Sequence, residues 1–369
     1  MRFGTLFIAA VILLTGCSSL PLQRARSAYY SGNLSRAEEI LGECSDIPGR
    51  DSLLCYMEKG LILHYMGKYE ESTRVLLKAV RFLKDNDIIS ISGQSAAVMI
   101  NDRTLTYKGE YSERLWIHTY LMMNFLMQYK YESALVEAKQ ALEVYDSYPD
   151  SLSKDFFTRA LVALCYENMG HMDDARIEYE KLSGETGGGY SPPAPLAGDK
   201  GELVLFIGQG HIPPKVSAEI AIPPSIRISI PRYADSSPSR PVTIRADGSM
   251  VDPQRTVTDT GEVAGKSLKD RAAQYLTRQA LRAGTKEAIA REVGEKSEVA
   301  EVITRVILFL SEEADTRSWE TLPGGLTMVR IPLEPGIHNI EISSGYSGTI
   351  RLDRVDIPQG GRTYRSVRL

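Results

Sequence analysis

Cysteine, histidine and tryptophan are scarce in this 369-residue chain, which holds four, five and two of them. No CxxC pair and no HExxH occurs, so neither a zinc knuckle nor a paired-histidine metal site is expected. A GxSxG elbow is missing too, and no Cys/His nucleophile pattern stands in for it. Neither sign of charge dominates: 43 basic residues against 47 acidic ones leave a net charge of -4, which excludes a surface built throughout to coat nucleic acid. No apolar run reaches the about 20 residues a spanning helix needs. The one phosphate-loop lookalike, Gly261 to Gly265 followed by Lys266 and Ser267, has three residues between its glycines where four are required, and no convincing buried strand precedes it. No catalytic residue, metal or cofactor is expected.

The N-terminus carries the strongest local signal. Arg2 precedes the apolar stretch Leu6–Leu14, which is long enough for an export signal and too short to cross a bilayer. It ends in Leu14-Thr15-Gly16-Cys17, which resembles the lipobox of bacterial lipoproteins; an ordinary cleaved leader with a chance cysteine is the alternative. The resemblance implies removal of residues 1–16, acylation of Cys17 (palmitate among the chains) and, with Ser18 rather than Asp next, sorting to the periplasmic face of the outer membrane. Two or more acyl chains anchor a protein stably, at about 0.8 kcal/mol per buried methylene. Export also places Cys44 and Cys55 in an oxidising compartment, where they either pair or, with Cys165, stay as small buried apolar residues.

Residues 17–182 repeat a frame. Ala37, Ser72, Ala134 and Ala175 each lie five residues after Gly32, Gly67, Tyr129 and Gly170, and an apolar-periodic helix precedes each of the latter. A turn residue followed by a small residue in the next helix is the logic of a tetratricopeptide (TPR) hairpin, in which the small side chain admits close packing. The spacings of 35, 62 and 41 require an insert near 85–112, expected to be partly helical. Tyr29, Tyr65 and Tyr120, with Tyr30 and Tyr166, either line a peptide groove or pack in the core. His64, His118 and His171 have no partner at metal spacing and read as packed or solvated residues.

Residues 183–201 are rich in Gly and Pro and read as a linker. Beyond them, 202–369 turns strand-like, with short β-branched runs at 203–207, 216–222, 226–230, 242–244, 326–333, 338–342, 349–357 and 363–369, interrupted by helical periodicity over 266–310. The expected class is α+β: an N-terminal all-α TPR-like solenoid, then a β-sandwich-like domain carrying an inserted helical hairpin. Between Lys266 and Arg291 seven basic residues face two acidic ones, with Arg271, Arg278 and Arg282 in one stripe. That stripe is either an anion-facing surface for lipid or polysaccharide, or a solvated helix balanced by the glutamates that follow.

The runs Gly109-Glu110-Tyr111 to His118-Thr119-Tyr120, Ala134 to Ala138, Leu203 to Phe206, and Ala314-Asp315-Thr316-Arg317-Ser318-Trp319 with Leu322-Pro323 resemble the uncharacterised TPR lipoproteins of Gram-negative bacteria. Genes of that family often neighbour those for lipoproteins similar to the curli secretion pore CsgG and to activators of penicillin-binding proteins. The resemblance brings no established activity and implies an accessory role in envelope assembly or secretion. Arg317 and Trp319 then form either a structural corner, with Arg317 paired to Asp315 and covering Trp319, or an exposed anchor for a partner. The expected function is a non-catalytic scaffold that binds envelope proteins in the repeat groove; the alternative is a regulator or binder of peptidoglycan or envelope polysaccharide acting through the β-rich domain.

Overall fold

A left-handed turn of the same construction closes the first helix of each hairpin. In the computed structural model, which describes residues 20–92, 106–193, 196, 198–222, 226–235, 241–271, 315–345 and 348–369, Gly32, Gly67 and Gly170 have φ of 79°, 76° and 72°. Each turn repeats one pair of hydrogen bonds, for example Gly67 N–H to the His64 carbonyl and Lys68 N–H to that of Leu63. Such a reversal is a Schellman cap, in which glycine meets the positive φ without steric cost. Tyr129 holds the third of these positions, at φ 58° and with the same bond pair, Tyr129 N–H to Leu126 and Lys130 N–H to Phe125.

The resulting hairpins are α1 (Leu20–Tyr30) with α2 (Leu34–Leu41), α3 (Ser52–Tyr65) with α4 (Tyr69–Ser92), α5 (Tyr111–Met127) with α6 (Tyr131–Ser147), and, after the one-turn α7 (Pro149–Leu152), α8 (Phe156–Asn168) with α9 (Met172–Glu185). The small residues of the frame, Ala37, Ser72, Ala134 and Ala175, are all buried in the second helices. Ser72 shows what close packing achieves: its hydroxyl donates to the Gly60 carbonyl at 2.6 Å across the α3–α4 contact. Of the expected insert, the first part continues α4 to Ser92, and 106–110 leads into α5 with Tyr107 buried. A disulfide joins Cys44 to Cys55, tying the segment after α2 to α3. None of the described helices is long and apolar enough to cross a membrane.

Past 183–201, where Tyr190 is buried and stacks on Tyr179 at 5.9 Å, the chain forms two four-stranded sheets. The inner sheet has the order β10 (Arg362–Arg368), β1 (Gly201–Gln209), β7 (Gly325–Leu333), β6 (Gln254–Asp259); β1 runs parallel to β10 and antiparallel to β7. The outer sheet has the order β5 (Ser249–Val251), β4 (Thr243–Ala246), β8 (Gly336–Ser343), β9 (Thr349–Ile357). A separate hairpin pairs β2 (Lys215–Ile222) with β3 (Ile226–Tyr233).

Side-chain alternation on β1 makes three layers of these parts. Val204 and Phe206 join the core of the helices, whereas Leu203, Leu205 and Ile207 pack with Ile244, Ile340 and Ile342 of the outer sheet. A strand covered on both faces reads as a continuous apolar run, and all nine β1 residues are buried. The helical core is therefore continuous with one face of a β-sandwich.

Three expectations change. β6 was not expected, and it does precede Gly261; the segment after it is a helix, α10, running over 260–271, so the lookalike phosphate loop is helical backbone with no loop to wrap an anion. Helix begins six residues before the expected 266, and 272–314, including Arg278 and Arg282, lies outside the described residues, as do residues 1–19 with Cys17.

Candidate functional site

Three of the first helices, α3, α5 and α8, carry apolar residues on nearly every side, which is the pattern of a helix covered all round. In α5 the run Leu115, Trp116, Ile117, Tyr120, Leu121, Met122 and Met123 is buried throughout. What covers this face is the chain's own inner sheet. Phe157 of α8 meets Phe206 of β1 edge-on at 6.2 Å, and Gly208 of β1 lies so close to the Tyr65 hydroxyl that any side chain there would collide with it. The tyrosines considered as a groove are part of that contact: Tyr29 and Tyr120 are buried, and Tyr65 and Tyr120 share a 3.2 Å hydrogen bond. Partner binding through Tyr29, Tyr65 and Tyr120 is thereby corrected, because the β-sandwich occupies the surface they line. Tyr166 is buried as well, whereas Tyr30 stays largely exposed beside His211.

A belt of buried charge fixes the 315–323 segment and the β2–β3 hairpin to the helices. Glu110 caps α5 and takes Lys215 Nζ at 2.6 Å and Arg271 Nη1 at 3.0 Å. Burial alone would raise its pKa, but the two cations outweigh it and hold the carboxyl at about 2. Glu113 accepts from the Tyr107 hydroxyl at 2.6 Å and from Trp319 N–H at 2.7 Å; burial and the neighbouring Glu110 push its pKa up. Arg26 of α1 donates to Glu58 at 2.8 Å, to Glu320 at 2.6 Å and to the Ser318 carbonyl at 2.7 Å.

Arg317 pairs with Asp315 at 2.8 and 2.9 Å and reaches Asp51 at 3.0 Å, while its guanidinium lies over the Tyr107 ring. The corner reading holds in its pairing and is corrected in its cover, which falls on Tyr107 rather than Trp319. Trp319 is 0% exposed and packs near Tyr120, so the anchor reading of Arg317 and Trp319 is excluded. Arg271, considered as an anion-facing residue, spends its charge on Glu110, although its side chain remains 46% exposed.

At the centre, His64 joins helix to sheet. Its Nδ1 meets Asn124 Oδ1 at 2.7 Å and its Nε2 meets Ser366 Oγ of β10 at 2.7 Å, while the Asn124 amide donates to Ser72. The Ser–His–Asn connectivity is that of an acyl-transfer triad. Burial pulls the imidazole pKa down to about 4, so it is neutral near pH 7, and the rings of Tyr65, Tyr69 and Tyr120 pack edge-on around it at 5.1–5.4 Å. Asparagine offers no charge to hold an imidazolium, and the ring itself is 1% exposed. The line is a clamp between α3, α5 and β10. His118 instead bonds Glu137 at 2.7 Å between α5 and α6, and among the described residues no three His, Cys, Asp or Glu side chains converge as a metal site.

At the other end, Arg330 of β7 donates to both Glu202 and Glu167, and Arg362 of β10 joins the same two carboxylates. Beside this network lies a cavity of about 330 Å³ lined by Tyr131, Glu167, Asn168, Leu196, Arg362 and the Gly360-Gly361 turn. Sequence reading missed it, because its walls come from positions more than 190 residues apart, such as Asn168 and Arg362.

No protein-family model matches the chain, and no curated protein does. Among solved structures, similarity extends to YrrB, described as a TPR protein with an unusual peptide-binding site, at 16% identity and TM-score 0.33, covering 50% of this chain and 76% of that one. MamA of Desulfovibrio magneticus RS-1 is similar at 14% identity and TM-score 0.32, covering 45% and 73%. Superpositions this loose say nothing of what the chain binds.

Proposed function

We propose that this protein is a non-catalytic, lipid-anchored scaffold of the cell envelope, tethered through acylated Cys17 to the periplasmic face of the outer membrane. It engages another envelope protein on the outward surface of its second helices, not in the groove between its repeats. The observation that carries this reading is the closure of the first-helix face by the chain's own sheet. With that face filled, the apolar side chains left in solvent on the repeats include Val136 of α6, 58% exposed, and Met172 of α9, 54% exposed. Anchoring is supported by the Leu14–Cys17 motif, and α1 begins at Leu20, three residues after Cys17, which keeps the helical body near the lipid surface.

Two experiments test it. Metabolic labelling with a palmitate analogue is expected to mark the chain and to lose that label in Cys17→Ala, which should also leave the outer-membrane fraction. A photo-crosslinking residue at 136 or 172 in intact cells is expected to trap a defined protein, whereas one at the buried Trp116 is not. Unlabelled wild-type chain would refute the anchor. Turnover of purified peptidoglycan by the chain, with no crosslinks at either outer position, would favour the envelope-polymer alternative.

A further inference from the structure

We propose that one end of the outer sheet is a proton-dependent clasp, closed while both ring nitrogens of His338 carry protons and opened when one proton is lost. This goes beyond the scaffold reading and does not depend on it. His338 stands on β8 in line with the core residues Ile340 and Ile342, and its side chain is 14% exposed. Its Nδ1 lies 2.7 Å from Asp247 Oδ2, and its Nε2 lies 2.8 Å from the Glu334 carbonyl. A carboxylate and a carbonyl oxygen only accept, so the two bonds form together only in the imidazolium. His64 differs, because the Ser366 hydroxyl on one side of its ring can donate, and the neutral ring keeps both of its bonds.

The clasp joins three segments. Asp247 and Gly248 make the turn between β4 and β5, both in left-handed backbone at φ 52° and 80°. The second carboxylate oxygen of Asp247 accepts from Asn339 N–H at 2.9 Å, and Asp247 N–H donates to the Asn339 carbonyl at 2.9 Å. Asn339 Oδ1 in turn accepts at 3.1 Å from the N–H of Arg354, which stands at φ 55° in β9 where the pairing with β8 shifts register. Glu334 belongs to the connection between β7 and β8. Of the three non-glycine residues with left-handed backbone among the described residues, two therefore belong to one short chain of bonds that ends on His338. Disfavoured conformations gathered in one network mark a place built to change state.

The surrounding charges favour the closed form. Burial works against a charged ring, but the bonds to the Glu334 carbonyl and the Asp247 carboxylate, with the charges of Asp247 and Glu334, outweigh it and raise the imidazole pKa above its ordinary 6.5. On the β9 side His338 is opposite Val355, which has Arg354 and Asp356 as its neighbours in that strand, and Lys200 pairs with the Glu334 carboxylate at 3.6 Å. A raised folded pKa means that the clasp is complete below pH 6.5 and is lost as pH rises through the higher folded value. One ring nitrogen then turns a lone pair toward an acceptor oxygen, and the segment on that side is released.

NMR of the full chain with carbon-13 in its histidine rings follows the titration of His338, and hydrogen exchange, corrected for the intrinsic effect of pH, follows the amides of Asn339 and Arg354. The ring should titrate with a midpoint above 6.5, and protection of both amides should fall about fivefold as pH rises through that midpoint. Asp247→Asn keeps a side chain that tolerates left-handed backbone and still accepts from Asn339, while it offers His338 Nδ1 an amide donor in place of a carboxylate. In that variant the midpoint should drop to 6.5 or below, and protection should stay level with pH. A wild-type midpoint at or below 6.5, protection unchanged across the midpoint, or a midpoint that Asp247→Asn leaves in place overturns the proposal.

Discussion

Helix α5 buries 13 of its 17 residues, whereas its hairpin partner α6, of the same length, buries 6. The same inequality separates α8, with 10 of 13 buried, from α9, with 4 of 14. Each second helix has one covered face, the one carrying the small frame residue, and turns the other to solvent. The first helices α3, α5 and α8 have no such free face, because the inner sheet lies where the hairpins alone would leave a groove, whereas α1 keeps Leu20 and Tyr30 in solvent. In a stack of helical hairpins the surface available to partners is set by whatever else the chain folds against it.

The largest break in this comparison is expected from Trp319→Ala. It empties a fully buried site between the 315–323 segment and α5, and should lower the unfolding free energy by about 3–5 kcal/mol in urea titration. A loss under about 1 kcal/mol would mean that the 315–323 segment does not pack firmly on α5. Lys215→Met should follow at about 3 kcal/mol, since it leaves the Glu110 carboxylate buried with Arg271 as its remaining cation among the described contacts.

His64→Gln sharpens the comparison through pH. In the folded chain the imidazole pKa is lowered from 6.5 to about 4, so below pH 6.5 the unfolded chain binds the extra proton and stability falls as pH drops toward 4. Between pH 6.5 and 5 wild type should lose about 1.5 kcal/mol more than the variant, the other titrating groups being common to both. Glu110 acts lower, with stability present above pH 4.5 and lost toward pH 2. Profiles of wild type and variant that run parallel from pH 6.5 to 5 would contradict the buried clamp. On the outer face Val136→Ala should move the unfolding free energy by less than about 0.5 kcal/mol, the smallest effect of the set.

How far the sequence could be read differs along the same division. Hairpin turns were legible because a positive φ selects glycine locally, and Gly32, Gly67 and Gly170 mark three of them. Tyr129 kept its place in the frame through the small Ala134 that follows it. By contrast β6 was illegible because its alternation is inverted: Thr256 and Thr258 point inward, while Val257 faces solvent. Thr258 is buried because it has partners there, accepting from Phe157 N–H at 2.8 Å and meeting Asp155 at 3.3 Å. No local pattern reports such distant partners.

Closure of the groove left one signal that the tyrosines obscured. Apolar residues run all round α5, which a helix with one wet face cannot sustain, and that pattern alone called for a second layer. Which layer was beyond reach, since the pairs that build it, such as His64 with Ser366 or Glu113 with Trp319, lie 302 and 206 residues apart. The cavity shares this difficulty, its walls being drawn from helix, turn and strand.

Cys165 offers the most direct probe of whether the inner sheet seals the first helices. It lies fully buried on α8, free of any disulfide, and burial pushes its thiol pKa far up. Under native conditions a maleimide should label it no faster than the chain unfolds globally, while a cysteine placed at the exposed position 136 should react at the rate of a free thiol. Equal labelling of the two positions in the folded protein would contradict the account.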